Sequence, residues 1–280
     1  MAKLVDFYCV FDGCFIRASS SDLFESIKND ILPFYPLLSS KFKLDKQSAK
    51  ALHILAKNSR KRYSINKQLG HFAASFTMNK LLERGFLQIE KSKEEKIKRK
   101  KGQKLKKALR KYTIQDKVLF RNNFLRFFAY FLQPNENLIL NKAYDELLAK
   151  IKKEFKHYQS LCFEGLGREL LESKFKINSI SSFWSNDVEI DLFYKDSKLT
   201  VLGEVKFKDK KICKNVFNSL QNKAKILNLK PDYFVIFSKS GFSSELIKSK
   251  EANLLLFDFD ELKTLLKDTD ERKYTKKPRL

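Results

Sequence analysis

The chain has 280 residues, 43% of them hydrophobic and 26 of them phenylalanine. That composition excludes a disordered protein and leaves room for one large or two ordinary cores. Lys and Arg number 57 against 33 Asp and Glu, a formal charge of +24, which points to a polyanion partner, nucleic acid or an anionic membrane surface. Four cysteines with no C-x-x-C pair, and three histidines, argue against a disulfide framework and a structural zinc site. No apolar run reaches the ~18 residues of a membrane span. The N-terminus lacks the order of a signal peptide, so a cytoplasmic protein with reduced thiols is expected.

Residues 1–45 form an N-terminal extension whose role the sequence does not state. Val5, Phe7, Tyr8, Val10, Phe11, Phe15 and Ile16 predict a small strand pair within residues 1–20. Ser20-Ser21-Asp22 caps a helix from Leu23, which Pro33 and Pro36 are expected to end.

Residues 46–118 read as a winged-helix domain. The spacing predicts three helices, then Gly85 as a stop and Phe86-Leu87-Gln88-Ile89 as a strand, with Tyr112-Thr113-Ile114 as the returning strand. In that arrangement the third helix can enter a major groove. Between the strands lies 91–111, with twelve Lys/Arg against two Glu, a net +10. It reads as a long basic wing laid along phosphates. Lys98, Arg99, Lys100, Lys101, Lys104, Lys106, Lys107 and Arg110 are its nucleic-acid contacts. The stretch has no aromatic to stack and little to read bases, so weak sequence selectivity is expected. A solvated Lys-rich loop is the plainer reading. A membrane role is not expected, because the apolar face that an interfacial helix needs is thin here.

Residues 119–158 form a helical connector. Phe120 to Leu132 carries six aromatics in thirteen residues and reads as a helix docking one domain onto the next. An amphipathic helix over Asn141 to Tyr158 follows. Residues 159–268 run in the order α-β-β-β-α-β-α-β-α, which suits an α/β sandwich around a mixed sheet. The basic tail 269–280 is expected to be disordered.

The chemistry gathers in 187–207. Asp187, Glu189 and Asp191 alternate with Val188, Ile190 and Leu192, the period of a half-buried strand. A turn at Lys195–Lys198 leads into a second strand on which Glu204 and Lys206 share a face. Paired as a hairpin, the strands bring Asp191, Glu204 and Lys206 to one sheet edge. Two carboxylates and an ammonium there can hold a hard divalent cation beside a phosphodiester. The plainer reading is a cross-strand charge cluster.

Asp191 with Glu204-Val205-Lys206 resembles the PD-(D/E)XK nuclease signature, with Glu164 as the extra acid on a preceding helix. From about Tyr112 to Phe242 the chain resembles the C-terminal region of archaeal-type AAA-like ATPases, the DUF234 family. The landmarks are Tyr112–Asp116, Phe124–Phe128, Phe163-Glu164, Trp184 with Glu189-Ile190-Asp191, Gly203–Lys206 and Ser238–Phe242. The resemblance implies a winged helix followed by a nuclease-like domain. It departs in two respects: the sequence has no G-x-x-x-x-G-K-[ST], and the proline before the first acid is missing. By the resemblance Glu164, Asp191, Glu204 and Lys206 are catalytic. Asp191, Glu204 and the Val205 carbonyl ligate Mg²⁺ or Mn²⁺, and Glu189 and Gln221 stand behind them, with Lys223 also able to face the site.

The leading expectation is therefore a Mg²⁺-dependent deoxyribonuclease on an α/β (mixed) fold, acting on double-stranded or branched DNA, with no small-molecule cofactor. A non-catalytic DNA-binding or regulatory protein, and the partner of a separately encoded ATPase, stay open, as does a homodimer.

Overall fold

The computed structural model describes residues 1–57, 60–94, 104, 114–249 and 251–265. They divide into two compact units, one from Met1–Glu90 with Asp116–Cys162, the other from the described residues of 91–115 and of the chain from Phe163 onward.

In the first unit the expected strand pair of residues 1–20 is instead a helix, α1 (Ala2–Phe11). Val5, Cys9 and Val10 are buried at helical spacing, and that packing overrides the strand propensity of the valines and aromatics. Asp22 caps α2 (Leu23–Ser26), accepting from the amides of Phe24 and Glu25. Pro33 does not end this helix. The chain widens into a π turn, Ile27–Ile31, tightens into a 3-10 turn, Leu32–Phe34, and resumes as α3 (Tyr35–Phe42). A proline removes one donor and clashes with the carbonyl four residues back, and the wider turn relieves that clash.

Three helices follow as expected: α4 (Lys46–Ala56), capped by Asp45, α5 (Arg62–Leu69) and α6 (His71–Glu83). β1 (Leu87–Glu90) comes after Gly85, whose φ of 66° suits glycine. It pairs antiparallel with β2 (Lys117–Phe120), and Lys61 adds one bridge to Lys117. The returning strand thus lies later than Tyr112–Ile114, since Ile114 is not in a strand and Tyr112 and Thr113 lie outside the described residues. So do all the expected phosphate contacts of the basic run except Lys104, and the tail 269–280.

Phe120 ends β2, so the aromatic helix starts later, as α7 (Asn123–Phe127) capped by Asn122. The π turn Phe128–Leu132, the 3-10 turn Gln133–Asn135 with Pro134, and α8 (Glu136–Leu140) repeat the succession around Pro33. Phe124, Phe127, Phe128 and Phe131 are buried. Their ring partners include Tyr35, Phe42 and, on α9 (Tyr144–Phe175), Tyr158. All belong to the first unit, so the aromatic run builds that unit's own core. Buried Arg126 donates to the carbonyls of Ala56 and Tyr158 at 3.1 and 2.9 Å, satisfying at Ala56 an orphan carbonyl of the α4 end.

The second unit takes α9 from Phe163 onward. Its sheet has the order β3-β4-β5-β6-β7: β3 (Ser181–Trp184), β4 (Glu189–Lys195), β5 (Thr200–Lys206), β6 (Tyr233–Ser238) and β7 (Leu254–Phe257). The first three strands are antiparallel and the last three parallel, so the sheet is mixed. The helices α10 (Lys214–Ile226) and α11 (Ser244–Ile247) supply the crossovers. One face packs Phe217, Leu220 and Ala224 of α10 on Ile190, Leu202, Phe234 and Ile236. The other lies under α9, where Phe163 stacks on Phe237 with ring centres 4.3 Å apart. The fold is α/β, and from α9 to β7 the elements follow the expected order, while the end of the expected last helix lies outside the described residues. Among the described residues no helix is long and apolar enough to cross a membrane.

Candidate active site

The hairpin β4–β5 closes through Asp196, whose carboxylate accepts from the amides of Lys198 and Leu199 at 2.7 and 2.8 Å. This is the side-chain turn that places Asp at such corners. Pairing runs from Lys195↔Thr200 to Leu192↔Gly203 and stops there. Continued by one step, it would set Asp191 opposite Glu204. Instead the β3–β4 register slips between Ser181↔Phe193 and Phe183↔Ile190, so Ser182 faces both Asp191 and Leu192. That extra residue is a β-bulge, which bends the strand and re-aims a side chain. It is also why Ile190 and Phe193, three apart, share one core.

The fork leaves the Val205 amide without its ladder partner, and Asp191 Oδ2 accepts from it at 2.9 Å. Lys206 Nζ lies 3.6 Å from the same oxygen and is ion-paired with Glu204 Oε2. Lys223, from α10, pairs with the other oxygen, Glu204 Oε1. Glu204 is 5% exposed and its carboxylate is therefore clasped between two ammonium groups inside the fold. The carboxyl of Asp191 is pushed up to about 6, first by burial, then by the charges of Glu204 and Glu164. Burial pulls the Lys206 ammonium down, but Glu204 and Asp191 outweigh it and hold it above the ordinary lysine range.

A helix dipole favours an acid only in the first turn. Glu164 sits far inside the 32-residue α9, so the dipole does not explain it. Three residues on, Gly167 lets the helix approach the sheet: a Cβ there would stand 3.1 Å from Phe237 and 3.2 Å from Val205. The electrostatic push of Glu164 on Asp191 follows from this approach.

Asp191, Glu204 and Lys206 thus come together, and Glu164 adds its field. Of the residues expected behind them, Glu189 is exposed at the start of β4. The Gln221 side chain makes no hydrogen bond among the described residues, and Lys223 supplies the α10 contribution. Asp187 lies in the turn before β4 and is exposed. The bulge at Asp191 was missed, and no local pattern in the sequence marks it.

The donor set is hard oxygen throughout, which suits Mg²⁺ or Mn²⁺. A cation between Asp191 and Glu204 would also relieve the repulsion that raises Asp191. Among the described residues no group of three or more His, Cys, Asp or Glu is placed to hold a metal ion. Two carboxylates, those of Asp191 and Glu204, stand at the site, short of a closed cage.

No curated protein and no solved structure matches the chain. Residues 128–217, the span that carries Glu164, Asp191, Glu204 and Lys206, match the model of DUF234, described as archaea bacterial proteins of unknown function.

Proposed function

We propose that the chain is a metal-dependent nuclease that hydrolyses phosphodiester bonds at the Asp191–Glu204–Lys206 site. The observation that carries this reading is the fork between β4 and β5, which gathers two acids and a lysine in a half-buried place. Asp191 and Glu204 would hold the metal, with the Val205 carbonyl beside them. Bound there, Mg²⁺ or Mn²⁺ supplies positive charge at the phosphate and lowers the pKa of water. Lys206, ion-paired with both acids, would donate to the phosphoryl oxygens as negative charge develops. Lys223 fixes the Glu204 carboxylate in one orientation. Before a metal binds, the Asp191 carboxyl titrates at about 6, and a cation there would favour its anionic form. The winged-helix segment and the basic run 91–111 would hold DNA through phosphates.

One observation favours a second reading, a non-catalytic DNA-binding protein on a nuclease scaffold. Both Glu204 oxygens already carry lysine partners, so the cluster is electrostatically closed without a metal. Incubating plasmid and single-stranded DNA with Mg²⁺ or Mn²⁺, beside a Glu204→Ala/Lys206→Ala variant, separates the two. Cutting by the parent and none by the variant is expected. No cutting by either, with DNA binding that persists in EDTA, would replace the nuclease with the binding protein.

A further inference from the structure

We infer that the outward face of α6 is a stacking surface for single-stranded nucleic acid. Phe72 and Phe76 are 88% and 72% exposed, although both lie on a well-formed helix of 13 residues. They are four positions apart, so they share one face with a rise of about 6 Å between them. The opposite face is anchored by buried Ala74, Thr77, Met78 and Leu81. That burial fixes the rotation of the helix and keeps the two rings outward.

The surroundings say what meets them. Arg62 donates to Ser75 Oγ at 2.6 Å, which sets its guanidinium against the stripe that bears the two rings. His71 makes an edge contact with Phe72, with ring centres 5.6 Å apart. Lys67 lies over the ring of Tyr63, which is itself 53% exposed. Between residues 60 and 76 the cations are Arg60, Lys61, Arg62 and Lys67, with no acid, whereas Lys80 further along α6 is paired with Asp45.

Exposed aromatic rings among cations match a ligand that unites flat π faces with regularly spaced negative charge, which is single-stranded nucleic acid. A duplex hides its base faces in its own stack and would leave these rings against groove edges. A second copy of this chain, at +24, would bring cations to cations. The inference concerns binding by α6 alone and stands whether or not the Glu204 site hydrolyses anything.

The test is fluorescence anisotropy of the full chain in EDTA, so that hydrolysis does not intervene. The probes are labelled oligo-dT, oligo-U and the oligo-dT annealed to its complement. Phe72→Ala/Phe76→Ala removes two stacking rings and should weaken single-strand binding by roughly ten-fold or more. Duplex affinity and the salt slope should hold. Phe72→Trp/Phe76→Trp should restore the single-strand affinity. Both rings are exposed, so circular dichroism and thermal melts should show all variants folded alike. Equal losses on single strand and duplex, or no loss on either, would overturn the inference. So would self-association of the parent that the alanine variant abolishes, which would make the face a protein interface. A chain that binds single strands through these rings but never cuts DNA would sink the nuclease reading and leave this one standing.

Discussion

Asp191 is held where its charge is disfavoured. Its carboxyl titrates near 6 rather than at the ordinary 3.8, because burial and two neighbouring acids oppose ionisation. The native state therefore binds the proton more tightly than the unfolded chain does. Below pH ~4 both forms are protonated and there is no cost. As pH rises through the window from about 4 to 6 stability falls, by up to about 3 kcal/mol once ionisation is complete. Asp191→Asn should accordingly stabilise the protein at pH 8 and leave it unchanged at pH 4, as urea titrations at the two values will read. A melting point that drops at pH 8 would mean that the ion pair with Lys206 outweighs the repulsion. If the acids hold a metal, millimolar Mg²⁺ should raise the melting point of the parent at pH 8 and not that of the variant.

At the scale of elements, the site depends on close approaches that leave no room for a methyl group. A Cβ on Gly203 would stand 3.0 Å from Leu192 Cβ and 3.2 Å from Val235 Cβ, both on flanking strands of the sheet. Gly203→Ala should therefore cost about 1–3 kcal/mol of overpacking strain. It should also push Leu192, and with it the neighbouring Asp191, away from the Val205 amide. The expected signature is a lowered denaturation midpoint together with a lost or shifted pH dependence in the 4–6 window. Loss of stability with that titration intact would show that the bulge, rather than the Leu192–Gly203 approach, sets the position of Asp191. Element order in the second unit was legible because alternation, turn residues and buried runs are local. The continuity of α9 was not. Residues 141–158 and the segment from Phe163 onward were read as separate helices, yet no proline or glycine stop lies between them and the helix simply continues. Pro33 was expected to end its helix, but the chain absorbs it, and Pro134 as well, through a π turn and a 3-10 turn.

For the whole molecule the charge is the governing quantity. If the run 91–111, at +10 of the chain's +24, lies on phosphates, DNA affinity should fall steeply with salt. Replacing Lys98, Arg99, Lys100, Lys101, Lys104, Lys106, Lys107 and Arg110 with Gln should flatten the plot of log affinity against log salt, by about 0.9 in slope for each phosphate contact removed. An unchanged slope would return this stretch to a solvated loop. The same plot, measured on single strands, separates the run's charge from the aromatic contribution of α6.

The sequence by itself determined the α/β class, the order of the second unit's elements, and the shared face of Glu204 and Lys206 on β5. Each is set by period, capping or turn chemistry within a few residues. Asp191 entered the candidate site by strand alternation and Glu164 by the family resemblance. Only the tertiary structure decided how these act. The bulge against β3 turns Asp191 toward the Val205 amide, and α9 brings Glu164 within electrostatic reach. Lys223, past the end of the matched span, arrives from α10, and α6 leaves Phe72 and Phe76 in solvent. These outcomes depend on contacts between residues far apart in the chain, and local pattern does not encode them.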